Sequence, residues 1–332
     1  MRPPPPLLHG TSPDLTQSEV NDYTPAVSLD VRLLDNVGAE VIGFDVGEPV
    51  DADLARELQS LWNEHAILLF RGQDVDPAKQ IAFSRVFGPL EKHPLATTRS
   101  DEHPELFVLE NGGPKDAFQT AFYHGEEIVG RLDWHMDLHY TGRPNRGALL
   151  RAVRIADEDG ETGFGDLAKA YDALDDDTKA LLERVEVAYR FNMQRRDMRF
   201  VDVVGYEPGP NSPKKPSDMG FPDFPDAAYP AVVEHPVTGR KVLEIVEQFL
   251  DRVVEPEKAD LTGEEADDLL RRLVDHIRDP EFHYFHDWRE GDMVLWDNWR
   301  AMHCTRGTKR GVKRVINRTT IEGDTALGRQ LA

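Results

Sequence analysis

Between Asp133 and Pro144 the chain reads DWHMDLHYTGRP, which sets His135, Asp137 and His139 within five residues. Imidazoles and carboxylates are the ligands left to a divalent cation here, because the single cysteine, Cys304, excludes a thiolate cluster and an intrachain disulfide. The stretch reads as extended, and residues two apart on a strand face the same side, so His135 and Asp137 converge. A third ligand is needed. His139 is the local candidate on that face, and His303, in GDMVLWDNWRAMHCT, is the distant one. Geometry favours His303. Three ligands spaced two apart on one strand span about 13 Å, and bonds of about 2.0–2.2 Å cannot gather both ends without bending it. A pair plus one ligand from a neighbouring strand closes a triangular face. Two imidazoles and one carboxylate leave three positions open, the arrangement of non-haem Fe(II) oxygenases. His139 is then a pocket residue, and Cys304 a small buried filler.

A second constellation lies near the C-terminus, in KRVINRTTIEGD. On a strand, Arg314, Ile316, Arg318 and Thr320 share one face, and Val315, Asn317, Thr319 and Ile321 the other. Two arginines inside a β core are costly unless anions meet them. A dicarboxylate is such an anion, and the guanidinium fork suits it better than a lysine would.

The elements that must position these residues are legible in outline. VDADLARELQSLWNEH predicts a helix with Asp51 or Asp53 as cap, AILLFRG a short buried strand, and DVDPAKQIAFSRVFGPL a second helix stopped at Gly88-Pro89. RGALLRAVRI, GDMVLWDN and RVINRTTIEG predict strands. LDDDTKALLERV and LTGEEADDLLRRLVDHIRDP predict helices, the latter with a capping box of Thr262 and Glu265. Seven prolines between Pro208 and Pro230 are too many for a core element and mark an irregular excursion, a lid or an oligomer contact. Neither G-x-G-x-x-G nor G-x-x-x-x-G-K-[ST] occurs, which weighs against a dinucleotide or NTP enzyme. The strands follow no regular βα alternation, so a mainly antiparallel β core with outer helices is expected.

Composition sets the limits. The 332 residues, 39% hydrophobic and 30% charged, suffice for one large domain or two modest ones. We expect an N-terminal arm over 1–30, extended at Pro3 to Pro6, and one domain over 31–330 with the proline-rich excursion around 205–230. No apolar run approaches a membrane span or a secretion signal, so a cytoplasmic protein is expected. The net charge of −22 argues against nucleic acid and anionic membrane as partners.

Taken together, W-H-x-D, W-D-N-x-x-x-x-H and R-V-x-x-R-T-T in this order resemble the taurine dioxygenase and 2,4-dichlorophenoxyacetate dioxygenase family of Fe(II)- and 2-oxoglutarate-dependent oxygenases. The resemblance runs from GAEVIGFDVGEPVDADLARELQSLWNEHAILLFRGQ to the last strand. It implies a double-stranded β-helix, a jelly roll of the cupin-like, clavaminate synthase-like kind, with helices against one sheet. His135, Asp137 and His303 would ligate iron, and Arg314 and Thr162 would bind the distal carboxylate of 2-oxoglutarate. Arg318 would lie near the iron, facing substrate or co-substrate, and His93 matches a position lining the substrate pocket. Fe(II), 2-oxoglutarate and O2 would together hydroxylate a C–H bond, with release of succinate and CO2. Asp137 separates the chain from halogenating relatives, which lack that carboxylate.

Departures fall where substrate choice is made. Glu161 and Asp166 stand where the family often has Asp and Asn, and Arg131 and His139 are not family-wide. Arg318, His93 and Arg131 could offer positive charge to a carboxylate, sulfonate or sulfate ester, whose bond to carbon would break if the hydroxylated carbon carried oxygen or sulfur. Competing readings are a Zn or Mn hydrolase on the same ligands, a non-catalytic jelly-roll binder, and within the family a desaturase, epoxidase or oxidative decarboxylase. Relatives often form dimers or tetramers.

Overall fold

In the computed structural model, which describes residues 29–92, 99–113 and 116–331, Ile67–Phe70 is a strand with no exposed side. Leu68 and Phe70 pack with Leu58 and Trp62 of the helix Ala52–His65 and with Phe83 of the helix Pro77–Ser84. Ile67 and Leu69 pack inward with Val294, Trp296 and Ile316. The division recurs on Met293–Asp297, where Met293 and Leu295 meet the helices and Val294 and Trp296 the interior. Such strands read as unbroken apolar runs because both faces are covered.

These strands belong to an eight-stranded sheet ordered Asp30–Leu33, Ala39–Ile42, Ile67–Phe70, Met293–Asp297, Gly147–Arg154, Arg314–Ile321 and Leu90–Glu91, with Leu106–Asn111 also on Arg314–Ile321. A four-stranded sheet, His283–His286, Thr162–Asp166, Ala301–Thr305 and Leu132–His135, lies against it. Phe164 of the small sheet meets Trp296 of the large one at 5.9 Å between ring centroids. The pairings are antiparallel except Ala39–Ile42 with Ile67–Phe70. This is the expected jelly roll, mainly β with outer helices.

The helices are not confined to one sheet. Gly263–Ile277, with its Thr262–Glu265 capping box, packs Leu270 and Val274 into the cluster that holds Trp134, Met302 and Cys304 of the small sheet. Gly163 permits that close layer: a Cβ there would sit 2.7 Å from Cys304 Sγ, Phe285 Cε1 and Trp134 Cη2.

Two further expectations are corrected. The helix Pro77–Ser84 ends before Gly88-Pro89, where Ser84 Oγ turns back to the Gln80 carbonyl (2.8 Å) and to Thr319 Oγ1 (2.6 Å). The proline-rich stretch also contributes a core strand. Ala227–Pro230 pairs with Glu186–Tyr189 and Arg329–Gln330, and Ala227, Ala228 and Tyr229 are fully buried. Pro225 precedes this strand and Pro230 is its last residue, so no donor is lost from its interior. Among the described residues no helix is long and apolar enough to cross a membrane.

Candidate metal centre

His303 lies directly opposite His135 across the pair formed by Ala301–Thr305 and Leu132–His135, with ring centroids 4.1 Å apart. The strand ends at His135. Leu138, at φ 56°, then turns the chain into a 3-10 segment, His139–Thr141. Asp137 therefore sits on a turn, which Asn298 clamps from both sides. The Asp137 N–H donates to Asn298 Oδ1 (2.9 Å), and Asn298 Nδ2 donates to the Asp137 carbonyl (3.0 Å). One ligand atom from each of His135, Asp137 and His303 lies within 4.8 Å of the other two.

The charge states suit a divalent cation. His135 Nδ1–H donates to the Asp133 carbonyl at 2.7 Å, which leaves the Nε2 lone pair for a ligand. Burial, and after it the neighbouring His135, hold His303 well below the usual imidazole pKa, so it is neutral at physiological pH. Burial opposes ionisation of Asp137, but Arg318, His303 and His135 outweigh it and hold the carboxyl below its usual range. A carboxylate at Asp137 and a neutral imidazole at His303 result. His303 Nδ1 is buried without a partner. Trp296, 4.8 Å from His303 between centroids, and Phe164, stacked on the same ring at 6.5 Å, wall the group.

The arginine face of Arg314–Ile321 points inward, as its spacing suggested. Arg318 Nη2 donates to Asp137 Oδ2 at 2.6 Å, and its guanidinium lies 5.3 Å from the Trp296 ring centre. Arg314 is buried, and burial alone lowers its pKa to about 10. It donates through Nη2 to the Gly160 carbonyl (3.2 Å), its Nε has no partner, and among the described residues no carboxylate pairs with it. Gly160 sits at φ 88°, and a Cβ there would press on Thr308 and on Arg314 Nε at 3.1 and 3.3 Å. Thr162, two residues on, is buried and accepts from Trp288 Nε1 at 3.0 Å. Asp166 caps the helix Leu167–Asp172 and takes both arms of Arg300 (3.0 and 2.6 Å), which accounts for an acid at that position.

Other expected residues are not gathered here. The turn at Leu138 carries His139 away from a shared face with His135. Its ring is buried between Tyr189 and Tyr229, with Nε2 2.9 Å from Glu244 Oε2. Arg131 is exposed and stacks on Tyr123 at 4.4 Å. It lines an outer groove with Trp134 and Cys304, which alternate with His135 and His303 and so face the opposite side of the sheet. His93 lies outside the described residues.

Three contributors had no sequence signal of their own. Asn298 stands within the quoted W-D-N motif but gained no role from it. Trp288 reaches Thr162 from just beyond the neighbouring strand of the same sheet, in which His286 pairs with Thr162. Glu91, paired with Thr320 at the end of the arginine strand, borders a cavity of about 340 Å³ with Asn145, Arg143, Glu322 and Asp324. Burial raises its pKa from 4.5 to about 7 against the pull of Arg318 and with the help of Asp137. The folded state thus keeps a proton that the unfolded state has lost between those values. Stability from this group is full below about pH 4.5 and is lost as pH rises to about 7. Glu91→Gln should therefore stabilise the metal-free protein at pH 8 by about 1–3 kcal/mol and hardly at all at pH 4, read from urea melts. An equal effect at both pH values would contradict this.

Comparisons with known proteins identify a family and its fold. The sequence profile described as taurine catabolism dioxygenase TauD, TfdA family matches residues 27–320. Over 306 residues the chain is 31% identical to the (S)-phenoxypropionate/alpha-ketoglutarate-dioxygenase of Sphingobium herbicidovorans, covering 92% of this chain and 99% of that protein. It is 30% identical to the alpha-ketoglutarate-dependent 2,4-dichlorophenoxyacetate dioxygenase of Cupriavidus pinatubonensis, covering 86% and 94%. The crystal structure of AAD-2 in complex with Mn(II) and N-oxalylglycine superposes with a TM-score of 0.68 at 27% identity, covering 90% of this chain and 99% of that one.

Proposed function

The chain belongs to the TauD, TfdA family of dioxygenases, and from that premise we propose that His135, Asp137 and His303 hold its iron while Arg314 and Thr162 hold the far carboxylate of 2-oxoglutarate. It is a 2-oxoglutarate-dependent dioxygenase that uses Fe(II) and O2 to hydroxylate a small organic substrate. When bound, Fe(II) supplies the redox-active Lewis acid that O2 activation requires.

The chain's own residues supply orientation, charge and dryness. Arg314 carries the proposal: a buried guanidinium with one backbone acceptor and no acid partner among the described residues. It lies four residues from Arg318, roughly 13 Å between Cα atoms, on the same inner strand face. A dicarboxylate held at one end by Arg314 and directed at the trio with the other satisfies that charge and fixes the reacting end. A Zn or Mn hydrolase would leave Arg314 without a purpose. Trp296 and Phe164 exclude water beside His303.

The substrate proposed is a small anion, a carboxylate, sulfonate or sulfate ester, met by Arg318. The acids named for the two relatives support this choice. Arg318 is bonded to Asp137, so an anion would share a guanidinium that already neutralises the site.

The test is anaerobic. Fe(II) and 2-oxoglutarate added together should give a visible charge-transfer band, and air plus a panel of organic acids should then release succinate. A protein that binds neither, or turns over without the keto acid, refutes the assignment.

A further inference from the structure

The pairing of Trp288 with Thr162 extends the reading above, on which it rests. A threonine hydroxyl offers one hydrogen and two lone pairs, and an indole nitrogen can only donate. In the contact of 3.0 Å, Trp288 Nε1–H therefore takes a lone pair of Thr162 Oγ1. The hydroxyl hydrogen must go elsewhere. Thr162 is buried, and among the described residues Oγ1 has no second partner. A buried hydroxyl hydrogen without an acceptor is costly. The Arg314 guanidinium, which bonds the Gly160 carbonyl two residues before Thr162 and is also buried and short of partners, is a donor as well and cannot accept it.

Trp288 is itself held by a chain of contacts. Its ring meets His286 edge-on, at 90° and 4.5 Å. His286 is buried, and burial lowers its pKa, so it carries one ring hydrogen. That hydrogen goes to Asp292 Oδ2 (3.1 Å) from Nε2, and Nδ1 then accepts from the Tyr284 hydroxyl at 2.8 Å. Arg71 donates to the same Asp292 oxygen at 2.6 Å. The strand His283–His286 and the turn after it thus present the indole N–H to Thr162 in one fixed direction.

We infer that Trp288 is a positioning residue for the co-substrate: by occupying the Thr162 oxygen it commits the Thr162 hydrogen to the keto acid's far carboxylate, next to Arg314. The two partners of the carboxylate then differ in kind. Arg314 supplies charge, and Trp288 acting through Thr162 supplies a hydrogen whose direction is set before the ligand arrives. The effect is specific to ligands that end in an acceptor.

The holoprotein is titrated anaerobically with 2-oxoglutarate and with 2-oxopentanoate, a keto acid of the same length ending in a methyl group. The charge-transfer band is the readout. Trp288→Phe should weaken 2-oxoglutarate binding about tenfold and leave 2-oxopentanoate unchanged. Thr162→Val should show the same selectivity, and the double variant should be no weaker than Thr162→Val alone. Equal losses for both keto acids, or losses that multiply in the double variant, would overturn the inference. No band with the unsubstituted protein would instead overturn the co-substrate reading, and this one with it. Should Trp288→Phe not fold, the Zn(II)-loaded, indole-¹⁵N-labelled protein serves. One indole N–H resonance should move with 2-oxoglutarate and stay with 2-oxopentanoate; no selective movement would reject the idea.

Discussion

Replacing Arg314 by leucine should weaken 2-oxoglutarate binding about 100-fold or more and at the same time stabilise the protein without its ligands. The first effect follows from losing a charge-assisted fork to a buried carboxylate, worth about 3 kcal/mol or more. The second has the opposite sign because among the described residues the buried guanidinium meets no counter-charge. Burial lowers its pKa from 12.5 to about 10, so at neutral pH both folded and unfolded states are protonated and the folded state bears the whole cost. That cost is relieved only above about pH 10. A leucine side chain would remove it and add apolar volume, for a gain of about 1–3 kcal/mol in urea melts. A variant that is less stable when free and binds the keto acid normally would show that Arg314 is structural.

Asp137→Ala should weaken Fe(II) binding by more than about 100-fold and abolish turnover, since even the loss of a residue that merely supports a ligand costs about 10–100-fold. The fold should survive. Asn298 clamps the main chain of Asp137, not its carboxylate, so the turn keeps both hydrogen bonds. The expected penalty is about 1–3 kcal/mol, from Arg318 losing its partner. Calorimetric Fe(II) titration and a thermal melt read the two effects separately. Retained Fe(II) affinity would remove Asp137 from the ligand set.

The gathering of His135, Asp137 and His303 was legible from their spacing, though not through strand alternation, since the strand ends at His135 and Asp137 stands on the turn that Asn298 clamps. Two of its members lie two apart, and the third sits in a stretch with strand character. Alternation also misplaces His139. Strand alternation would carry through His139, but Leu138 takes a left-handed conformation that leucine adopts rarely, and it redirects the chain. Arg131 fails for a related reason: closeness in sequence to His135 does not place it on the same side of the sheet. The arginine face of Arg314–Ile321 is read correctly, since period two holds along a whole strand and Ser84 and Gln80 meet its other face. Glu91 and Trp288 could not be read at all, because what makes them unusual arrives from distant parts of the chain.

The opposition of His135 and His303 has a consequence for how the molecule is assembled. The two imidazoles belong to adjacent strands but are separated by roughly 170 residues of chain, so an ion gripped by both acts as a clasp on a very large loop. A slip of one residue in that pairing would turn one imidazole to the outer side and spoil the grip. With His135 and His303 as ligands, metal loading would favour the correct strand alignment. Chelators should loosen the closure of the small sheet as a unit, and protease nicking of the metal-stripped protein should begin there.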